Sequence, residues 1–278
     1  MRSLVSSRLA VAVAALAAFA CAKEKPAEEA AVPAPPPPPN VVHVEAADYS
    51  FTLADTLPSG VTTFHLMNGG KEIHQMVLMK VPLAEFQKMA PGAPPPANLV
   101  VVGGPNAAAP GGTAEATLDL TPGDYTIVCF VPAPDGKPHL AHGMVRGLTV
   151  TQGSSTAVLP TPDITVKMTD YAYGIADTVP AGHHVILFQN DGPQEHEAVF
   201  VKLEAGKTAE DFLKWADKLA GPAPATPING SGPVSVGMSN TVAVDLTPGN
   251  YAMVCFATDT KDQKPHFMHG MVKKITVM

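Results

Sequence analysis

Charge, aromatic residues and cysteine are all scarce in this chain. Of its 278 residues only 15% are charged and 6% aromatic, with three cysteines and a single tryptophan. Three cysteines cannot build a framework of several disulfides, so folding has to rest on burial of apolar surface. Lys and Arg number 18 against 25 Asp and Glu, and no basic patch interleaved with aromatics occurs, which excludes a nucleic-acid partner. What is abundant points one way. Hydrophobic residues make up 46% of the chain, enough for cores, and 29 prolines with 23 glycines suit a turn-rich β protein better than a helical one.

The first 20 residues read as a leader. Arg2 and Arg8 form its basic part, and the apolar run from Leu9 to Ala20 is too short to span a bilayer comfortably. It ends Ala18-Phe19-Ala20-Cys21, which resembles a bacterial lipoprotein signal and implies export with lipid on Cys21. Residues 21–40, rich in alanine and carrying five consecutive prolines, read as an extended tether. The expected location is the periplasmic or cell-surface face of a bacterial membrane, held there by the lipid anchor. Losing Arg2 and Arg8 leaves the remainder still more acidic, which serves solubility and could aid docking to a basic partner.

Beyond the tether the chain contains one pattern twice. Asp48-Tyr49 matches Asp170-Tyr171 and His74 matches His196, both 122 positions on, while Cys129 and Cys255 lie 126 apart and Met144 and Met271 lie 127 apart. So steady an offset indicates internal duplication. The expected organisation is one domain over 41–151, a linker over 152–162 and a second domain over 163–278. Each copy shows period-two stretches, such as Val42, Val44 and Ala46 alternating with His43 and Glu45, broken by turn signals. The fold class that follows is all-β: two tandem Greek-key β-sandwiches. One helical insertion stands out, with Thr208 as cap, Asp211 three residues on, and Phe212, Trp215 and Leu219 on one face. Leu83 to Met89 is its shorter counterpart.

Each copy holds one lone cysteine at the end of a strand of β-formers, then a polar loop with two histidines, then a methionine. Thiolate, imidazole and thioether form the soft donor set that suits copper. A disulfide between Cys129 and Cys255 is the alternative use of the two thiols. Gly123-Asp124-Tyr125-Thr126-Ile127-Val128-Cys129 and Gly249-Asn250-Tyr251-Ala252-Met253-Val254-Cys255, with Asn68 ahead of His74 and Asn190 ahead of His196, resemble the cupredoxins, the blue-copper family of plastocyanin, azurin and rusticyanin. The resemblance spans both copies. It implies copper held by His74, Cys129, a loop histidine and Met144, and again by His196, Cys255, a loop histidine and Met271.

The loops depart from the family pattern, because each offers two histidines. Four residues lie between His139 and Met144 but only one between His142 and Met144, so reach favours His139 and, likewise, His266 as ligands. His142 and His269 are then expected to support the ligands by hydrogen bonds or to serve as alternative ligands, as are Asn68 and Asn190. Phe130 and Phe256 are expected to shield the sulfurs. His43, His65, His183 and His184 do not recur and read as surface residues.

Three functions compete. Electron transfer through one or two mononuclear copper centres implies a redox partner protein, such as a c-type cytochrome or a membrane oxidoreductase. Copper capture or delivery would use the extra Met76, Met79, Met268, His142 and His269. A multicopper enzyme is the third, and a metal-free binding module is the non-redox alternative. A multicopper enzyme would need His-x-His ligands and a histidine beside the cysteine; Cys129 is flanked by Val128 and Phe130 and Cys255 by Val254 and Phe256, so the expectation is that the protein is not an enzyme.

Overall fold

A computed structural model describes residues 36–89, 96, 99–218 and 221–278. The leader, most of the tether, Cys21 and Leu219 lie outside the described residues. Period-two alternation becomes strand as expected: in β1 (Asn40–Ala47) Val44 and Ala46 are buried while His43 and Glu45 face outward. The first copy continues with β2 (Ser50–Thr52), β3 (Thr56–Pro58), β4 (Gly60–Asn68), β5 (Val77–Lys80), β6 (Val100–Gly103), β7 (Thr113–Leu120), β8 (Gly123–Val128) and β9 (Val145–Thr151). The second supplies β10 (Ile164–Thr169), β11 (Ala172–Gly174), β12 (Thr178–Val179), β13 (Gly182–Asn190), β14 (His196–Leu203), β15 (Ala225–Val234), β16 (Ser239–Leu246), β17 (Gly249–Val254) and β18 (Val272–Val277).

These strands form two sheets, and both run through both copies. One has the order β11-β10-β13-β16-β7-β4-β1-β2, the other β12-β18-β17-β14-β15-β6-β5-β8-β9-β3. The order of each half reverses that of the other about the seam, so equivalent strands meet: β7 against β16, β6 against β15. Each of these two pairings registers a single residue couple, Thr117 with Thr241 and Val102 with Val234. Further backbone bonds cross the seam, from the Gly232 amide to the Gly104 carbonyl and from the Ser235 amide to the Val101 carbonyl, each at 2.9 Å.

Each half keeps its own apolar interior. Phe64, Leu66, Leu78, Tyr125, Ile127 and Leu148 fill the first, and Phe188, Ile186, Phe200, Tyr251 and Ile275 the second. The tyrosines of the duplicated motif turn a corner in each copy: Tyr125 donates to the Thr121 carbonyl at 2.8 Å and Tyr251 to the Thr247 carbonyl at 2.7 Å. Helix α1 (Leu83–Phe86) is a single turn, shorter than the sequence led us to expect. Helix α2 (Ala209–Ala216) begins at a capping box in which Thr208 and Asp211 bond one another reciprocally. Its Phe212 packs on Val201, Val254 and Trp215, which makes Trp215 a packing residue. None of the described helices is long and apolar enough to cross a membrane.

The stretch from His74 departs from the expected strand. His74 makes only an isolated antiparallel bridge to Ala108, and the strand begins at Val77, whereas β14 runs unbroken from His196. The adjoining chain comes very close here. A Cβ on Gly104 would sit 2.1 Å from the Met76 carbonyl oxygen, and one on its counterpart Gly230 2.0 Å from that of Ala198. Only glycine permits that approach, at φ of +139° and +136°.

Candidate metal centres

Cys129 stands one residue beyond β8, and the chain then loops out and returns through a 3-10 turn, His139–His142. Its backbone amide donates to the Met144 carbonyl at 3.2 Å, and the Met144 amide to the His139 carbonyl at 3.0 Å. The loop therefore closes on itself, and Gly143, in the left-handed region at φ 100°, ends the turn. The second copy repeats this with Cys255, a turn over His266–His269, Gly270 and Met271. His74, Cys129, His139 and Met144 have no exposed surface, and neither have His196, Cys255, His266 and Met271.

The donors converge. Nδ1 of His74 lies 3.1 Å from Nδ1 of His139, which is 3.4 Å from Cys129 Sγ; the second copy has 3.1 Å between His196 and His266 and 3.4 Å from His266 to Cys255. In both groups the three donor atoms lie within 4.8 Å of one another. The far nitrogens decide what those facing atoms are. His139 Nε2 donates to Glu72 at 2.7 Å and His196 Nε2 to Asp170 at 3.0 Å, which leaves Nδ1 of each as a bare lone pair. Two imidazole nitrogens and a sulfur, buried and aimed at one point, must share either protons or a cation between them. The residues present thus fit a soft or borderline metal ion, with one histidine of each pair turned by a carboxylate, as metal ligands commonly are.

Burial sets the protonation of the metal-free groups. It lowers the His74 pKa, with the His139 ring adding to the effect, and lowers His196 to about 4, again with its partner ring contributing. His266 moves down for the same reason. Burial pushes the Cys129 thiol up to about 11 and the Cys255 thiol up as well. At neutral pH these two sites hold neutral thiols, and the shifted imidazoles are uncharged.

Cys129 and Cys255 are both free, so no disulfide joins the copies. Asn68 and Asn190 do not reach the donor group; they brace the turn before it. Asn68 Nδ2 donates to the carbonyls of Glu72 and Ala108, and its Oδ1 accepts from the Gly70 amide, while Asn190 does the same with Gln194, Val234 and Gly192. His142 and His269 stand apart from the three-donor groups, partly exposed and bonded to Asp135 and Asp262, each at 3.1 Å. A further cluster of Asp259, Asp262 and His269 lies beside the second site.

Several expectations need correction. Phe130 is 37% exposed rather than buried beside the sulfur; Phe256 is half-buried against Phe212 and Phe267. Met268 is exposed, while Met76 and Met79 are core residues. His184 is buried rather than a surface residue. Its Nδ1 faces Asp163 at 2.5 Å and its Nε2 the Pro180 carbonyl at 2.9 Å. His183 is exposed beside Asp245.

The sequence reading missed the groups around the histidines. Tyr49 packs edge-on against His139 at 5.1 Å and stacks on His142 at 4.7 Å, and Tyr171 contacts His266 and His269 at 5.4 and 4.8 Å. The recurring Asp-Tyr pair was their signal. The acids around the two sites differ. Glu72 is replaced by Gln194, and Asp259 takes over on the loop, holding Tyr171 and Gln194, whose hydrogen bonds lower its pKa. His266 Nε2 faces Asp259 only at 4.0 Å, and His74 Nε2 faces Asp48 at 3.4 Å without hydrogen-bond alignment.

No family model matches the chain, and no curated protein is similar to it. Solved structures do match. Auracyanin from Roseiflexus castenholzii is 25% identical over 41% of this chain and 95% of its own, with a TM-score of 0.31. Auracyanin A, a blue copper protein from Chloroflexus aurantiacus, is 20% identical over 41% and 99%, TM-score 0.32. Copper nitrite reductase from Nitrosomonas europaea is 14% identical over 86% of this chain and 93% of its own, TM-score 0.25. That last protein is an enzyme, so the comparisons give no support to the expectation that this chain is not one. The all-β, two-copy architecture described above stands on this chain's own strands and sheets.

Proposed function

We propose that each copy holds one copper ion and that the protein transfers electrons. His74, Cys129 and His139 would hold the first ion and His196, Cys255 and His266 the second, with Met144 and Met271 as weak thioether donors. One observation carries the reading: the same buried group of two imidazole nitrogens and one sulfur is assembled twice, its three atoms within 4.8 Å of one another. Bound copper would supply a one-electron couple, and a two-histidine, one-cysteine set with a distant thioether accommodates both of its oxidation states. The chain's own part is rigidity. Strand ends, the closed Cys-to-Met loop and the carboxylates on Nε2 hold the donors in place, so little has to move when charge changes.

The rest of the proposal concerns setting. Cleavage before a lipidated Cys21 would place the protein outside the cytoplasmic membrane, anchored through residues 21–40, and it would exchange electrons with a redox partner protein. Copper capture or delivery is the second reading, favoured by the exposed Met268 beside the second site. Reconstituting reduced protein from Val41 onward with copper(II) tests the main proposal. Two copper ions per chain and intense thiolate-to-copper absorption are expected; folded protein that retains no copper overturns it.

A further inference from the structure

The two copies meet with their equivalent segments face to face. Pro105 forms a bridge with Ser231, the residue at its own position in the second copy, so position 106 corresponds to 232 and position 75 to 197. Symmetry at this seam would place residue 106 against residue 197 and residue 232 against residue 75. The first couple is Asn106 with Glu197; the second is Gly232 with Gln75, where glycine has no side chain to offer.

Asn106 uses what it has. Its Nδ2 donates to Glu197 Oε2 at 3.2 Å and to the Ser231 carbonyl at 2.9 Å, while its Oδ1 is buried without a partner. Two acceptors on one side fix the amide's orientation. Glu197 in turn is held at four points. Oε2 takes the Asn106 bond, Oε1 accepts from the Phe256 amide at 3.1 Å, and the carbonyl accepts from Tyr173 at 2.6 Å. Its own amide faces Cys255 Sγ at 3.5 Å. Glu197 therefore ties the residue after one proposed histidine ligand to the residue after the cysteine. In the first copy Gln75 gives Cys129 Sγ the same backbone contact at 3.5 Å. The Asn106 contact is the part that crosses from one copy to the other.

From this we infer that Asn106 of the first copy is a positioning residue for the metal centre of the second, acting through Glu197, and that the first centre has no reciprocal brace. The two centres are consequently unequal although their ligands match. The inference rests on the copper reading for its main test but not for all of it.

The test uses the full chain in two single-centre backgrounds, Cys129→Ser, which leaves the second centre, and Cys255→Ser, which leaves the first. Asn106→Ala should change the visible band of the second centre and weaken its copper retention about tenfold, the usual order for loss of a supporting contact. The first centre should keep band and affinity. Glu197→Gln turns an acceptor into a donor toward either Asn106 or the Phe256 amide, so it should act in the same direction. In metal-free protein, Asn106→Ala should speed maleimide labelling of Cys255 but not of Cys129. That readout stands even if copper does not bind, in which case the functional proposal alone fails. An unchanged second centre and unchanged Cys255 labelling overturn the inference, as does an equal effect on both centres, which would report general loosening of the fold.

Discussion

Glu72 accepts a hydrogen bond from His139 Nε2 at 2.7 Å, and that bond aims the opposite nitrogen of the ring at Cys129 and His74. Tyr49 steadies the same carboxylate by donating to Oε1 at 3.1 Å. Replacing Glu72 with Ala should leave the fold intact, because the carboxylate is partly exposed, and should weaken copper at the first centre about 10-fold or more. The second centre, where Gln194 stands at this position, should be unaffected. Titration with a competing chelator in the Cys255→Ser background measures the change; an unchanged affinity would show that the ring is held by its backbone alone.

The loop histidines separate cleanly. His139→Ala and His266→Ala should each abolish the visible band of their own centre, since one imidazole nitrogen and one sulfur then remain. His142→Ala and His269→Ala should keep the band, because these rings bond Asp135 and Asp262 instead of joining the converging donors. Loss of the band on removing His142 or His269 would refute this assignment of ligands.

Loading copper should release protons. Burial raises the Cys129 pKa to about 11, so its thiol is neutral at pH 7 and must lose a proton to become a ligand; His196, lowered to about 4, has none to lose from its charged form. About one proton per centre is expected, and affinity should rise with pH through the neutral range. Calorimetry at pH 7 in two buffers of different ionisation enthalpy reads the proton count directly. A count of zero would mean that the cysteines are not the ligands.

His184 gives stability its own pH dependence. Burial opposes its charge, but the Asp163 carboxylate and the Pro180 carbonyl more than offset this and raise its pKa above the ordinary value. Both ring nitrogens face acceptors, so the folded state favours the protonated ring. The contribution is complete below about pH 6.5, the unfolded value, and is lost as pH rises through the raised folded value. Thermal unfolding of the wild type and of His184→Gln should therefore differ most near pH 5.5 and converge by pH 9. A difference that stays constant over that range would count against a charged His184.

Much was legible in the sequence because local rules decide it. Period-two burial in β1, the reciprocal cap at Thr208 and Asp211, and the tyrosine corners at Tyr125 and Tyr251 all depend on residues within a few positions of each other. Duplication made the donor types visible as well, since a His, Cys, His and Met order that occurs twice is hard to attribute to packing.

What the sequence by itself determined is the strand-and-turn grammar of each copy and which residue types recur at its loop end. Only the tertiary structure decided how those residues are held. The hydrogen-bonded acid falls on a different histidine in each copy, Glu72 on the loop His139 in one and Asp170 on the upstream His196 in the other, because side chains from separate turns meet only once the sheets close. The seam is likewise a tertiary fact: nothing adjacent to Asn106 in the chain says that it will face Glu197, 91 residues away. Nor does the chain around His184 announce its charge partner: Pro180 lies just before it in the chain, but Asp163 comes from 21 residues away. Contacts between distant segments are set by the geometry of packed sheets, and a linear pattern of hydrophobic and polar residues does not encode that geometry one position at a time.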